Sequence, residues 1–277
     1  MFSILSGIVT GLSSSIPPGL LTFATAAFIA DGTLLSTFTA ELIGTVLMVG
    51  LTFSPGKWIA INSTLYCWAV HAAGVVAADK IGGGQHVNPS VSLAMFSLGE
   101  CSYNEMVVRI AGSMCGGLLA FPCFQVLTDT LSWTALGGPE YNPEGDEDAS
   151  ASGASEFFAT ALLMLMIYVL NWELNFGKHN YWIKQTLTAI GIRFLIEVFP
   201  TAGPAINPML GTTWAVHAYG SYPEDVRHYF VYWIASGLGA LAASFAYAVY
   251  AGKTFFGFKV AEGPKEETES KQSKKKK

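Results

Sequence analysis

Two Asn-Pro pairs stand at matching places in the two halves of the chain, Asn88-Pro89-Ser90 and Asn207-Pro208-Met209. The approaches to them are Gly82-Gly83-Gly84-Gln85-His86-Val87 and Ala202-Gly203-Pro204-Ala205-Ile206. Each pair also lies downstream of a lone carboxylate in an apolar run. Glu41 precedes Asn88 by 47 residues, and Glu156 precedes Asn207 by 51. Self-similarity at this spacing is an internal repeat of over a hundred residues. Proline fits the first turn of a helix, where its missing N–H is not needed, and asparagine is a favoured cap just before it. The apolar segments that follow, 88–98 and 207–217, are about 11 residues long, too short to cross a bilayer. Each reads as a half-helix that enters the membrane and begins at its asparagine. Broken segments in corresponding halves of a membrane protein mark the substrate path.

The membrane assignment rests on charge. Only 13% of the 277 residues are charged and 51% are apolar, against about 25% charged in a soluble domain. Six tracts approach the about 20 residues that a spanning helix requires, near 33–54, 58–79, 104–127, 153–172, 182–200 and 228–251. The expected fold is an all-α membrane protein of six transmembrane helices and two re-entrant half-helices, arranged as an inverted repeat. The channel domain covers 33–251, with halves 33–127 and 153–251 joined by an acidic loop, 128–152. Before it lies an apolar extension, 1–32, and after it a Lys-rich tail, 252–277.

Loop charges orient the chain. The loop 128–152 holds Asp129, Glu140, Glu144, Asp146, Glu147 and Asp148 without Lys or Arg, whereas Lys80, Lys178, Lys184 and the tail lysines lie on the opposite side. Basic loops face the cytoplasm, so both ends of the channel domain do. Arg227 is an exception on the acidic side. Residues 2–30 are charge-free but interrupted by Pro17-Pro18, and fit a signal peptide, an extension resting on the membrane or a further span. Asn62-Ser63-Thr64 is a glycosylation sequon set almost at a span start. The four cysteines form no CxxC pair and read as free thiols. The one basic cluster, Lys274-Lys275-Lys276-Lys277, has no interleaved aromatics, which argues against nucleic acid as a partner. Small residues at four-residue spacing, Gly112 and Gly116 in the third span and Ser236, Ala240 and Ser244 in the last, let helix backbones approach closely.

The paired half-helices, the glutamate in the first span of each half and the six spans resemble the aquaporin, or major intrinsic protein, family. The stretches Gly203-Pro204-Ala205-Ile206-Asn207-Pro208 and His228-Tyr229-Phe230-Val231-Tyr232-Trp233-Ile234-Ala235-Ser236, with the Lys-rich end, are similar to its small basic intrinsic branch. The family triplet is Asn-Pro-Ala, and here Ser90 and Met209 take the third places as neighbours that tune local width, Met209 being long and flexible enough either to narrow the passage or to repack helix contacts. The resemblance implies a homotetramer in membrane lipid that passes water or small neutral solutes, with no cofactor and no metal. Counted from the two Asn-Pro anchors, the outer selectivity filter falls on Trp68, Leu195, Pro204 and Leu210. Most water channels of the family carry Arg where Leu210 stands, so the filter is Arg-less at that position. His86 takes the place of an inner-vestibule histidine, and Glu41 and Glu156 brace the broken loops. Lys274-Lys275 look like a dilysine retrieval signal, implying the endoplasmic reticulum rather than the plasma membrane.

Two half-helix N-termini, each with about half a positive charge, would meet at the midplane and repel protons and cations. Arg193 and Glu197, four apart, pair on a helix face turned from Leu195; a register shift of two would bring Arg193 into the pore. Arg109 has no evident partner and is expected to snorkel to the cytoplasmic surface. The leading function is a passive channel. A coupled transporter would show unpaired carboxylates at the breaks, and none flanks either Asn-Pro. A non-conducting scaffold is the third reading, because Ser90, Met209 and Leu210 depart from the family pattern. No nucleophile–base or metal-ligand cluster suggests an enzyme.

Overall fold

In the computed structural model the described residues are 32–52, 64–131, 138–139, 141, 148–199, 201 and 204–263. The extension, Asn62 and Ser63 of the sequon, most of the acidic loop and the lysines from Lys265 to Lys277 lie outside them. Eight helical segments follow in order. The first half contains α1 (Gly32–Thr52), α2 (Thr64–Gly82), the short α3 (Pro89–Ser97) and α4 (Tyr103–Leu131). The second contains α5 (Ala149–Glu173), α6 (Asn180–Val198), the short α7 (Pro208–Tyr219) and α8 (Val226–Ala251). Thus six long helices and two half-helices are present among the described residues. Two wide turns were not foreseen: the last turn of α5, Val169–Glu173, and the segment Phe230–Ala235 within α8 are wound as π-helix.

Four helices, α1, α4, α5 and α8, are long and apolar enough to cross a membrane by length and composition. The other two long ones, α2 and α6, have 19 residues each, which at 1.5 Å per residue reach about 28 Å. Their lower hydropathy comes from His71, Asp79, Lys80, Lys184, Arg193 and Glu197. Three of these, His71, Asp79 and Arg193, line an internal cavity rather than facing lipid.

Glycines set the helix pairing. A Cβ on Gly112 would lie 2.7 Å from the Phe38 carbonyl oxygen of α1, and one on Gly239 would lie 2.2 Å from that of Phe157 in α5. So α4 seats on α1 and α8 on α5, each within its own half. The half-helices instead cross over: α3 packs on α8 and α7 packs on α4. This exchange interlocks the two repeats.

Two ends are finished by local chemistry. Arg227 pairs with Asp225 at 2.6 Å, so the apparent exception to the basic-side rule is neutralised in place. Hydrogen bonds from Arg227 hold the Asp225 carboxyl below the usual carboxylate range. Part of what reads in sequence as tail folds as a hairpin, β1 (Thr254–Phe255) against β2 (Phe258–Lys259). Its Phe256 N–H donates to the Ser97 carbonyl at 2.7 Å, closing the C-terminus of α3.

Candidate functional site

Both asparagines cap their half-helices and also tie the repeats together. Asn88 Oδ1 accepts from Ser90 N–H at 2.9 Å, and Asn207 Oδ1 accepts from Met209 N–H at 3.0 Å. Each amide nitrogen then crosses to the other half. Asn88 Nδ2 donates to the Ile206 carbonyl at 2.8 Å, and Asn207 Nδ2 donates to the Val87 carbonyl at 2.9 Å. A side-chain amide has two hydrogens, so one remains on each asparagine, and both residues line the cavity.

The carbonyls that receive these bonds belong to strained residues. Val87 has φ 49° and Ile206 has φ 52°, a region that β-branched residues rarely enter. Each is gripped from both sides. Glu41 accepts from His86 N–H at 2.7 Å and Val87 N–H at 2.8 Å; Glu156 accepts from Ala205 N–H at 2.7 Å and Ile206 N–H at 2.9 Å. The arrangement is the same in both halves: the N–H is held by the glutamate of its own repeat and the C=O by the asparagine of the other. Nothing in the sequence signals Val87 or Ile206, since a β-branched residue is the least expected choice at positive φ.

Both glutamates are 0% exposed but are balanced differently. Arg109 donates to Glu41 at 2.7 Å and to Glu105 at 2.8 Å. It is therefore held inside the protein as a counter-ion, and the expectation that it snorkels is corrected. Its Glu105 partner, four residues earlier, was readable in sequence; Glu41 was not. Glu156 instead accepts from the Ser236 hydroxyl at 3.0 Å, and Ser236 in turn accepts from Thr160 at 3.3 Å.

A cavity of about 880 Å³ runs past the two asparagines. Pro204, Leu210 and His86 line it, with His86 Nδ1 3.0 Å from Ser92 Oγ. Other residues expected at the pore stand elsewhere. On α2 the cavity face is Cys67, His71, Val75 and Asp79, spaced by one helical turn; Trp68 is turned aside and its indole N–H donates to Glu197 Oε1 at 2.9 Å. On α6 the face is Gln185, Thr188, Ile192, Arg193 and Ile196. Leu195, 5% exposed, packs instead against Ala159, Leu163 and Ile206. The Trp68 and Leu195 filter assignments are thus displaced by helix register, and Arg193 enters the lining. It keeps its expected partner Glu197 at 3.0 Å. Neither Ser90 nor Met209 is among the residues that line the cavity, and of the two readings of Met209 the structure takes the repacking of helix contacts. Met209 is 0% exposed; its sulfur lies over Gly117 of α4 and 3.4 Å from Thr213 Oγ1, whose hydroxyl donates to the Met209 carbonyl at 2.7 Å. Pro89 and Pro208 occupy the first helical turns.

The arrangement points two helix N-termini and two amide donors into one passage. That concentrates partial positive charge at one place along the passage. All four cysteines are free thiols, and no group of three residues suited to a metal ion occurs among the described residues.

Comparison with known proteins bears on this geometry. The model of the family described as "Major intrinsic protein" matches residues 28–247. The chain is similar to Aquaporin SIP1-1 of Arabidopsis thaliana, 31% identical over 110 residues, 39% of this chain and 42% of that protein; less than half of that relative is spanned. It is also similar to the glycerol uptake facilitator protein of Bacillus subtilis, 26% identical over 199 residues, 63% of this chain and 68% of that one. Among solved structures, the aquaglyceroporin from Plasmodium falciparum superposes with a TM-score of 0.59 at 18% identity, covering 77% of this chain and 93% of that one. At that identity the likeness speaks for the fold alone.

Proposed function

The chain belongs to the major intrinsic protein family of membrane channels, and from that premise we propose that it is a passive pore for water and small neutral solutes. The observation that carries this reading is the pair of asparagines, each capping one half-helix, bonded to the opposite loop and lining the same cavity. Glu41 and Glu156 serve as braces: both carboxylates are occupied by loop N–H groups, which leaves neither free to carry a coupled proton. Swelling of reconstituted vesicles in stopped flow, with water, glycerol and hydrogen peroxide in turn, tests the reading. Vesicles no more permeable than empty ones to all three would refute it in favour of a scaffold.

The filter we propose departs from the family pattern at Leu210, which has no cation to offer. Leu210 packs near Trp214 on one side and near Ala205 and Tyr232 on the other. Leu210→Arg would add a second guanidinium to a cavity that Arg193 already lines. Glycerol flux should fall by about tenfold, equivalent to about 1.4 kcal/mol of barrier, with water flux reduced less. Unchanged glycerol flux would mean that position 210 lies outside the constriction.

The proposal extends to a homotetramer with one pore per protomer and to residence in the endoplasmic reticulum. The latter rests on Lys274 and Lys275 and on the partial likeness to a small basic relative. Changing both lysines to serine in a protein tagged at its N-terminus should move it out of the reticulum; an unchanged image would reject retrieval by this pair and leave a tail held to anionic lipid.

A further inference from the structure

Along α8 the exposed apolar residues Ile234, Leu238, Phe245 and Val249 are spaced by one or two helical turns and form one stripe. On a helix long and apolar enough to cross a membrane, such a stripe faces lipid. The helix ends at Ala251, Gly252 takes φ 68°, and the chain turns back along the stripe. The Phe255 ring lies 5.4 Å from that of Phe245, and Phe245 stands about 9 Å of rise inside the end of α8. The 26 residues of α8 measure about 39 Å, against a hydrocarbon core of about 30 Å. Its last turns and the hairpin beside them therefore lie where acyl chains give way to headgroups.

The hairpin has an inner and an outer side. Phe255 and Val260 pack on the core around Ala94, Tyr168 and Tyr247. Lys253 pairs with Glu100 at 2.5 Å and sits 3.8 Å over the Trp172 ring. On the outer side Phe258 is 76% exposed, and Phe256, edge-on to Phe96, is exposed too. The turn Phe256-Gly257 has φ 49° and 80°, a geometry that ordinarily takes Asn-Gly. Phenylalanine there accepts backbone strain and sets an apolar ring at the tip. Tyr103 at the start of α4 and Tyr250 near the end of α8 are also exposed, and Tyr103 packs against Phe96. Exposed aromatics at one level mark a membrane interface. Lys259 pairs with Glu262, so the cations of the hairpin are matched and its outer surface is chiefly apolar.

We propose that this hairpin is a membrane anchor: the rings of Phe256 and Phe258 seat at the boundary between acyl chains and phospholipid headgroups. The backbone stays among the headgroups, where its open edges find water. The anchor holds more than the tail. Phe256 N–H donates to the carbonyl of Ser97, the last residue of α3. Through that bond the bilayer steadies the outer end of the half-helix whose inner end is capped by Asn88. The partner is the surrounding leaflet itself rather than an anionic headgroup, and the seat does not depend on what the pore passes.

The test replaces Phe258 by trifluoromethylphenylalanine in the full chain, held in phosphatidylcholine nanodiscs, and reads the one fluorine signal. Lipid spin-labelled near its headgroup should broaden that signal beyond detection. Lipid labelled at the chain end and a water-soluble gadolinium chelate should leave it, and added phosphatidylserine should change none of this. Broadening by the chelate but not by the lipid label would put the ring in water and overturn the proposal. Protection from all three agents would mean that protein covers the ring, a second copy or residues 1–31 of this chain, and would overturn it as well. Hydrogen exchange reads the tie to α3. The Leu98 and Gly99 amides close that helix, and Phe258→Ser should speed their exchange about tenfold in nanodiscs. Phe258→Leu, still apolar, should keep it near the native rate. Exchange unmoved by Phe258→Ser would show that the bilayer does not steady α3 through the hairpin. Equal speeding by Phe258→Leu would assign the effect to packing within the hairpin and not to lipid.

Discussion

Replacing Glu156 by alanine should destabilise the protein by about 2–6 kcal/mol, a large part of the roughly 5–15 kcal/mol that holds a typical domain. Glu156 is 0% exposed and accepts hydrogen bonds from Ala205 N–H, Ile206 N–H and the Ser236 hydroxyl. Alanine would leave two buried backbone donors unpaired, at about 1–3 kcal/mol each. Ile206 would then relax from its φ of 52°, a strain of order 1–3 kcal/mol that persists only while its surroundings enforce it, which offsets part of the loss but gives up the shape of the loop. Glu156→Gln should lose about half as much, since one amide oxygen can serve one N–H while the amide nitrogen faces the other. Glu41→Ala should be as harmful in kind, but Arg109 would keep Glu105 as a partner. The measurement is thermal unfolding in mild detergent, where a loss of this size corresponds to roughly 10 °C or more. A Glu156→Ala protein that melts within a few degrees of the native one would show that the loop holds its shape without the brace.

How far these features can be read from sequence depends on the range of the physics behind them. The Asn-Pro starts of α3 and α7 are local: a capping side chain and a proline in the first turn suffice, and the helices begin at Pro89 and Pro208 as expected. Glu41 and Glu156 stood out because an ionisable group in an apolar run is expensive unless something occupies it. The Arg193–Glu197 pair was legible from its four-residue spacing. The filter was not, because it requires helix rotation to be known to within a residue. Each α-helical residue turns the face by about 100°, and the count from Asn88 back to Trp68 passes through Gly82, Gly83 and Gly84, two of which take positive φ. On α2 the cavity face carries Cys67 and His71, on either side of Trp68 in sequence, and not Trp68 itself. On α6 the same uncertainty put Arg193 in the lining and Leu195 in the core. Val87 and Ile206 were illegible for a different reason: the carboxylates and amides that impose their backbone lie 46, 50, 118 and 120 residues away.

The charge at the centre of the pore gives the second large effect. Asn207→Asp should turn an ion-tight pore into one that passes cations. The amide nitrogen of Asn207 donates to the Val87 carbonyl at 2.9 Å, while its oxygen accepts from Met209 N–H at 3.0 Å. Aspartate keeps the cap, because a carboxylate oxygen still accepts from Met209 N–H and suits a helix N-terminus. It loses both amide hydrogens. The second carboxylate oxygen would then face the Val87 carbonyl, replacing an attraction by a repulsion and loosening the tie between the repeats. More important for function, a full negative charge would sit where two half-helix ends supply about half a positive charge each. The focus that repels cations would be cancelled, and the free amide hydrogen that orients a passing water would be gone. Cation conductance should therefore rise by at least about tenfold, which needs a barrier change of only about 1.4 kcal/mol, while neutral solute flux changes much less. Asn207→Ala separates the two causes, since it removes the tie and the cap without adding charge. It should unfold more readily than Asn207→Asp yet leak fewer cations where it remains folded. Electrical recording on planar bilayers, paired with solute flux from the same preparations, reads both quantities. An Asn207→Asp channel as tight to cations as the native one would mean that exclusion resides elsewhere along the cavity, with Arg193 as the remaining candidate.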